Sequence, residues 1–301
     1  MRVFMTGASG WIGSAVVPEL LAAGHEVSGI ARSEDTAARL RAAGATPIAG
    51  SLDDPETLRT AAEAADAVIH LGFKHDFTDY AASGRTERAV METFGDALAG
   101  TGKPLLFASG VAGLTPGRVA TEEDASPFTG PDAPRGGAEA LALGFAGRGI
   151  RPVALRFAPT VHGDGDHGFT AVLVDVARRT GVAGYVGDGA NRWAAVHRSD
   201  AARLVAKVLE DPGVADIVHA VGEEGVATRE MAEAIGRGAG VPAASIAPED
   251  VEAHFGWIGR FFSLDLAASS ALTQERFDWR PTGPTLLEDL AAGHYFARAA
   301  A

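Results

Sequence analysis

The 301-residue chain contains no cysteine, which excludes disulfides, thiolate metal sites and a cysteine nucleophile together. Lysine is almost missing too, with Lys74, Lys103 and Lys207 the only three. With 26 Lys and Arg against 39 Asp and Glu and a formal net charge of -13, no basic stripe exists to displace counterions from a nucleic-acid backbone, so nucleic acid is not an expected partner. No apolar run approaches the roughly 20 residues that cross a bilayer, so no membrane association is expected. Arg2 before Val3-Phe4-Met5 resembles the start of a signal peptide, but glycines at 7, 10 and 13 interrupt the run before an apolar h-region forms. Internal repeats and low-complexity segments are also lacking. These absences suit a cytoplasmic globular protein, long enough for one large domain or two smaller ones.

What the chain does have is a turn. Val3-Phe4-Met5-Thr6 leads into glycines at 7, 10 and 13, and Ser14 to Ala23 continues with apolar residues at Val16, Val17, Leu20 and Leu21. That order predicts strand, tight turn and helix, with the first helical N–H groups and the positive end of the helix dipole aimed at the turn. A pyrophosphate fits such a place. Gly7 permits the turn, Gly10 removes the Cβ that would block a diphosphate, and Gly13 lets helix and strand pack closely; Ser9, Trp11 and Ile12 border the same site. A glycine triplet by itself is a weak signal, and the flanking strand and helix supply the context.

Strands and helices then alternate. Glu26 to Ala31, Thr46 to Ala49, Asp66 to Leu71, Pro104 to Ser109 and Pro152 to Phe157 read as strands; Glu34 to Ala43, Pro55 to Ala65, Asp79 to Ala99 and Arg135 to Arg148 read as the helices between them. Strands that are continuously apolar predict a parallel sheet covered on both faces, an α/β doubly wound arrangement with ligands at the carboxyl ends of the strands. Beyond 158 the pattern loosens into glycine-rich loops around a helix from Phe169 to Thr180, and the C-terminal helix is expected over Thr285 to Ala297. Trp193 to His197 and Ile217 to Val221 are expected to return to the sheet. The expected division is a dinucleotide domain of 1–158 plus about 193–222, and a substrate domain of 159–192 and 223–301.

The segments TGASGWIG, VIHLGF, LLFASG, ALRFAPTVHG and RWAAVHRSDAARL together resemble the extended short-chain dehydrogenase/reductase family, which includes sugar-nucleotide epimerases, dihydroflavonol reductases and 3β-hydroxysteroid dehydrogenases. The likeness covers essentially the whole length. It implies a Rossmann-type fold, a small-molecule substrate, a nicotinamide cofactor, and either a monomer or a homodimer. It also implies that Leu71, Gly72 and Phe73 line the cofactor, that Leu52 packs the adenine, and that Phe157, Ala158, Pro159 and Thr160 approach the nicotinamide. The family's usual acidic residue before Leu52 is Ser51 here.

The end of the second strand bears on which nicotinamide is used. An acid there would accept from a ribose 2′-hydroxyl and repel a 2′-phosphate. Here the residues are Ala31-Arg32-Ser33, and the Arg32 fork with the Ser33 hydroxyl suits a phosphate. NADP(H) is therefore expected over NAD(H), while a solvated Arg32 is the plain alternative.

The resemblance fails at the catalytic centre, where the family carries a Tyr and, four residues on, a Lys that lowers its pKa. Alignment puts Arg135 and Glu139 at those places, and no tyrosine of the chain is followed four residues on by lysine. The family's Ser or Thr falls on Ser109 or Gly110. Two readings of Arg135 and Glu139 stand: an ion pair on a helix surface, or a cleft-lining pair in which Arg135 holds a carboxylate or an oxyanion and Glu139 orients it. Arg135 cannot donate a proton. His162, with His75 and Tyr80, can. The run His162, Asp164, Asp166 and His167 is read without a metal, because glycines break it. Asp200 reads as the N-cap of a helix beginning at Ala201. The leading function is an NADP(H)-dependent oxidoreductase acting on a small carbonyl, imine or activated alkene. The alternatives are a non-catalytic NADP(H) sensor and a cofactor-assisted epimerase or dehydratase.

Overall fold

The structure is a computed structural model that describes residues 1–75 and 79–297. In chain order the first half comprises β1 (Arg2–Thr6), α1 (Gly13–Ala22), β2 (Glu26–Ala31), α2 (Glu34–Ala42), β3 (Thr46–Ala49), α3 (Pro55–Ala64), β4 (Ala67–His70), α4 (Tyr80–Ala97), β5 (Pro104–Gly110), α5 (Ala138–Leu143) and β6 (Arg151–Phe157). The second half adds β7 (Thr160–His162), α6 (Phe169–Thr180), β8 (Ala183–Val186), β9 (Arg192–His197), α7 (Arg198–Glu210), β10 (Ile217–Ala220), β11 (Glu223–Ala227), α8 (Thr228–Ala239) and β12 (Ala243–Ile246). Short helices follow: α9 (Val251–Phe255), α10 (Gly259–Phe262), α11 (Ala271–Phe277) and α12 (Leu286–Ala291). Among the described residues no helix is long and apolar enough to cross a membrane.

Seven strands form one sheet in the order β10-β6-β5-β4-β1-β2-β3. The pairings β2–β3, β1–β2, β1–β4 and β4–β5 are all parallel. Chain order reverses between β1 and β4, which makes their carboxyl ends the switch point where such sheets bind ligands. All four residues of β4 are buried, as expected of a strand with both faces covered.

Two compact units result. The first comprises Met1–Ser109, Ala125–Arg156 and Ala202–Val218; the second comprises Gly110–Asp124, Phe157–Ala201 and His219–Ala301. Phe4, Val68, Phe94, Leu105 and Phe107 centre the core of the first. In the second, Trp193, Phe255, Phe262, Leu286 and Leu290 pack with Met231 and Ile235 of α8.

Several sequence expectations change. Trp193 to His197 does not rejoin the large sheet: β9 lies between β11 and β7 in a separate three-stranded sheet, so 193–201 belongs to the second unit, as does 110–124. Asp200 lies inside the first turn of α7 rather than at its N-cap, and its carboxylate accepts from Thr282 N (3.0 Å) and Gly283 N (2.9 Å). The C-terminal helix stops at Ala291, and Gly293 at φ 89° separates it from a short 3₁₀ turn. The predicted helix from Arg135 to Arg148 is also broken. Pro134–Gly137 is a tight turn in which Arg135, Gly136 and Gly137 are all left-handed (φ 54°, 62° and 61°), and only Ala138–Leu143 is α-helical.

Candidate active site

The glycine turn separates what the protein needs from what a ligand needs. A Cβ on Gly7 would sit 2.6 Å from the backbone of Leu71 and Gly72, and one on Gly13 would sit 2.1 Å from the Gly7 carbonyl oxygen. Either would prevent the turn from closing. Gly10 is exposed, and a Cβ there would meet only the Gly7 oxygen, at 3.1 Å. Its openness is therefore towards whatever occupies the turn. No side chain caps the start of α1, whose N-cap position is Ile12; Ser14 N and Ala15 N turn back onto Gly10 O and Ile12 O, and the positive end of the helix dipole faces the glycine turn. Ser9 and Trp11 are half-buried beside it. These features fit a dinucleotide diphosphate.

At the end of β2, Arg32 is exposed. Ser33 serves as N-cap of α2, accepting from Thr36 N at 3.2 Å and donating to Thr36 Oγ1 at 3.1 Å. The acids that follow are held by their own helix, Glu34 by Arg41 (2.6 Å) and Asp35 by Arg39 (3.4 Å). Leu52 is half-buried against the core of the first unit, and Asp53 beside it binds Lys74 at 2.5 Å. Leu71 and Gly72 are tied to β1, through Leu71 N to Thr6 O (3.2 Å) and Gly72 N to Thr6 Oγ1 (3.1 Å).

Arg135 and Glu139 do not pair with each other. The left-handed turn swings Arg135 towards α4, where its Nη2 donates to Glu87 Oε1 at 2.8 Å and its guanidinium lies 4.6 Å from the Phe73 ring centroid. Glycines allow the approach: a Cβ on Gly136 would be 2.4 Å from the Gly84 carbonyl oxygen. Behind Glu87 a buried chain continues through His70 (Nε2 to Oε2, 3.1 Å) to Thr6 (Nδ1 to Oγ1, 2.5 Å). Burial by itself would push the Glu87 carboxyl up, but the charge of Arg135 and the contact with His70 hold it below the usual glutamate range.

Glu139 turns into a different network. Its carboxylate accepts from Arg156 Nε (3.1 and 3.2 Å) and Nη2 (2.5 Å), and from the Ser109 hydroxyl in a short hydrogen bond. Arg156 is fully buried and Glu139 is 8% exposed, whereas Ser109 is half-buried at the end of β5. Both earlier readings of Arg135 with Glu139, as a surface ion pair and as an orienting pair, are thus replaced by two separate networks.

In the second unit, Phe157, Ala158 and Thr160 are buried and Pro159 is half-buried. His162 is completely buried, with Nδ1 on Asp289 at 2.9 Å and Nε2 without a hydrogen bond, so it presents no surface through which to protonate a ligand. Asp166 accepts from the Tyr295 hydroxyl at 2.8 Å, and burial followed by that carboxylate pushes the phenol well up. Of the other candidate donors, His75 is exposed and Tyr80 opens α4, each edge-on to Phe73 (5.2 and 5.9 Å between centroids).

Sequence reasoning missed Thr6, His70, Glu87 and Arg156. A signal was present for two of them: His70 ends an apolar strand, and Arg156 interrupts one. A polar group in a strand covered on both faces needs a buried partner. Nothing local marks Glu87.

The chain is 46% identical over 297 residues to an uncharacterized protein of Schizosaccharomyces pombe, covering 98% of this chain and 100% of that one. It is 31% identical over 189 residues, 59% of this chain and 55% of the other, to a 4-hydroxy-2-methyl-3-oxo-4-farnesyl-3,4-dihydroquinoline-1-oxide ketoreductase of Stigmatella aurantiaca. The fold matches that of UDP-glucose 4-epimerase from Thermus thermophilus, solved with NAD, at a TM-score of 0.76 over 100% of both chains and 21% identity. The sequence model of the NAD dependent epimerase/dehydratase family matches residues 3–221, and the chain belongs to that family.

Proposed function

We propose that the protein is an NADP(H)-dependent oxidoreductase that moves hydride to or from a small carbonyl, imine or activated alkene. The observation that carries the cofactor choice is Arg32, exposed and without an ion pair among the described residues while Glu34 and Asp35 are each held by an arginine of α2. A planar guanidinium free of competing acids favours a 2′-phosphate. The open edge at Gly10 and the uncapped start of α1 would take the diphosphate, and the bound dinucleotide would supply the hydride donor or acceptor.

Ser109 is the group best suited to exchange the substrate's proton. Its own proton is directed to Glu139, so its oxygen can accept from a substrate hydroxyl. As that O–H bond breaks, a new Ser109 Oγ–H bond forms and the original serine proton passes to Glu139 Oε2; reduction runs the same transfers backwards from a protonated Glu139. Arg156 holds the receiving carboxylate in place. The relative named as a ketoreductase supports carbonyl chemistry.

The test is to titrate NADP⁺ and NAD⁺ into wild type and Arg32→Ala, and to follow NADPH absorbance against a panel of ketones, imines and enones. Tighter NADP⁺ binding that Arg32→Ala abolishes, with turnover of at least one class, is expected. Equal affinities in wild type overturn the cofactor choice. Tight NADPH binding with no turnover across the panel leaves the sensor reading in its place.

A further inference from the structure

We propose that His70 and Glu87 are positioning residues that aim Arg135, and that the guanidinium so held is the binding site for a carboxylate on the substrate; this rests on the oxidoreductase reading above. Hydrogen-bond direction sets the order of the chain. Gly72 N–H donates to Thr6 Oγ1, so the Thr6 proton is free to go to His70 Nδ1; His70 Nε2 then donates to one Glu87 oxygen while Arg135 Nη2 donates to the other. Every member is satisfied with His70 neutral, a tautomer assigned from its partners. The chain runs one way, from the floor of the glycine turn to the arginine.

Such a chain is not what a solvated arginine requires. Glu87 is 1% exposed and His70 is fully buried, and a buried ionic group is often no more stabilising than a well-packed apolar one. Arg135 moreover holds a left-handed backbone conformation (φ 54°) that costs a non-glycine residue energy and persists only where the surroundings dictate it. Three contacts dictate the side chain: Glu87 fixes one nitrogen, Phe73 fixes the plane, and the meeting of Gly84 with Gly136 fixes the backbone. The side chain remains 27% exposed, and Nε and Nη1 make no hydrogen bond among the described residues. Phe73 follows β4, so the guanidinium lies by the carboxyl ends of the strands, where this class of sheet binds ligands. A planar cation with unused N–H donors, already rigid, matches a carboxylate.

Calorimetric titration of 2-oxo acids of increasing chain length, each beside its methyl ester, into the protein without cofactor tests this directly. Wild type is expected to bind the best acid at least tenfold more tightly than its ester. Glu87→Gln and His70→Gln should each weaken the acid about tenfold and leave the ester and NADP⁺ unchanged, and Arg135→Gly should remove the preference for the acid. A purely structural role for His70 and Glu87 would weaken acid and ester together. That result, equal binding of acid and ester by wild type, or no binding of any acid overturns the proposal. Loss of NADP⁺ preference with acid binding intact overturns only the cofactor choice, and absence of turnover with acid binding intact sinks the oxidoreductase reading while the carboxylate site at Arg135 stands.

Discussion

Among its described residues the first unit contains two buried carboxylates, each tied to an arginine, and they differ in where the charge is left. Glu139 is clamped by a fully buried Arg156 and passes its influence to a hydroxyl, that of Ser109. Glu87 is more deeply buried, yet its arginine reaches the surface and its other oxygen leads inward to His70 and Thr6. One network ends in a group that can exchange a proton, and the other in a cation that cannot. Where the resemblance predicts a tyrosine and a lysine four apart on one helix, this chain carries Arg135 and Glu139 and puts them in separate networks.

The separation has measurable consequences, largest at the closed network. Removing the Glu139 carboxylate takes from the fully buried Arg156 the acid that clamps it, so Glu139→Ala should lose about 3–5 kcal/mol by urea denaturation. The double change Glu139→Leu with Arg156→Met should recover most of that loss. No recovery would mean that the pair supplies more than mutual neutralisation.

The open network should respond less, and through pH. Arg135 and His70 hold the Glu87 carboxyl below its ordinary value against the push of burial. A depressed carboxyl stabilises the fold fully above its unfolded pKa, and that stabilisation is lost as pH falls through the folded value. Wild type should therefore lose stability more steeply than Glu87→Gln as pH falls through and below the ordinary glutamate range. Parallel curves for the two proteins would show that Glu87 is not held ionised.

The smallest effect on stability is expected at the exposed end. Arg135→Gly removes the exposed partner of Glu87, whose buried carboxyl keeps its hydrogen bond to His70 and can take up a proton once the cation is gone, and it relieves a left-handed backbone by about 1 kcal/mol. Its unfolding midpoint should lie within a few degrees of wild type, about 1 kcal/mol either way. A loss as large as that of Glu139→Ala would erase the contrast between the networks.

Much of the architecture was legible without coordinates because it depends on neighbours in sequence. A strand, glycines at 7, 10 and 13, and an amphipathic helix specify the turn through backbone sterics alone. Alternating apolar strands and helices specify a parallel sheet through burial on both faces. The site was legible only where it is equally local: Arg32 and Ser33 lie at the end of β2 because β2 ends there. For Arg135 and Glu139 local reasoning failed, since spacing of four on an assumed helix joined two residues that a left-handed turn parts. The burial of His162 against Asp289, a residue from the far end of the chain, had no local mark either.

The amino-acid sequence by itself determined the dinucleotide fold, the glycine turn and the absence of a Tyr-Lys pair, since these follow from residue type and short-range periodicity. Tertiary structure decided which carboxylate each arginine meets and which of them water can reach. Those outcomes depend on the turn at Pro134–Gly137 docking on α4 and on β6 lying beside β5. Hydrogen-bond partners of that kind are chosen by packing between segments distant along the chain, to which local pattern is blind.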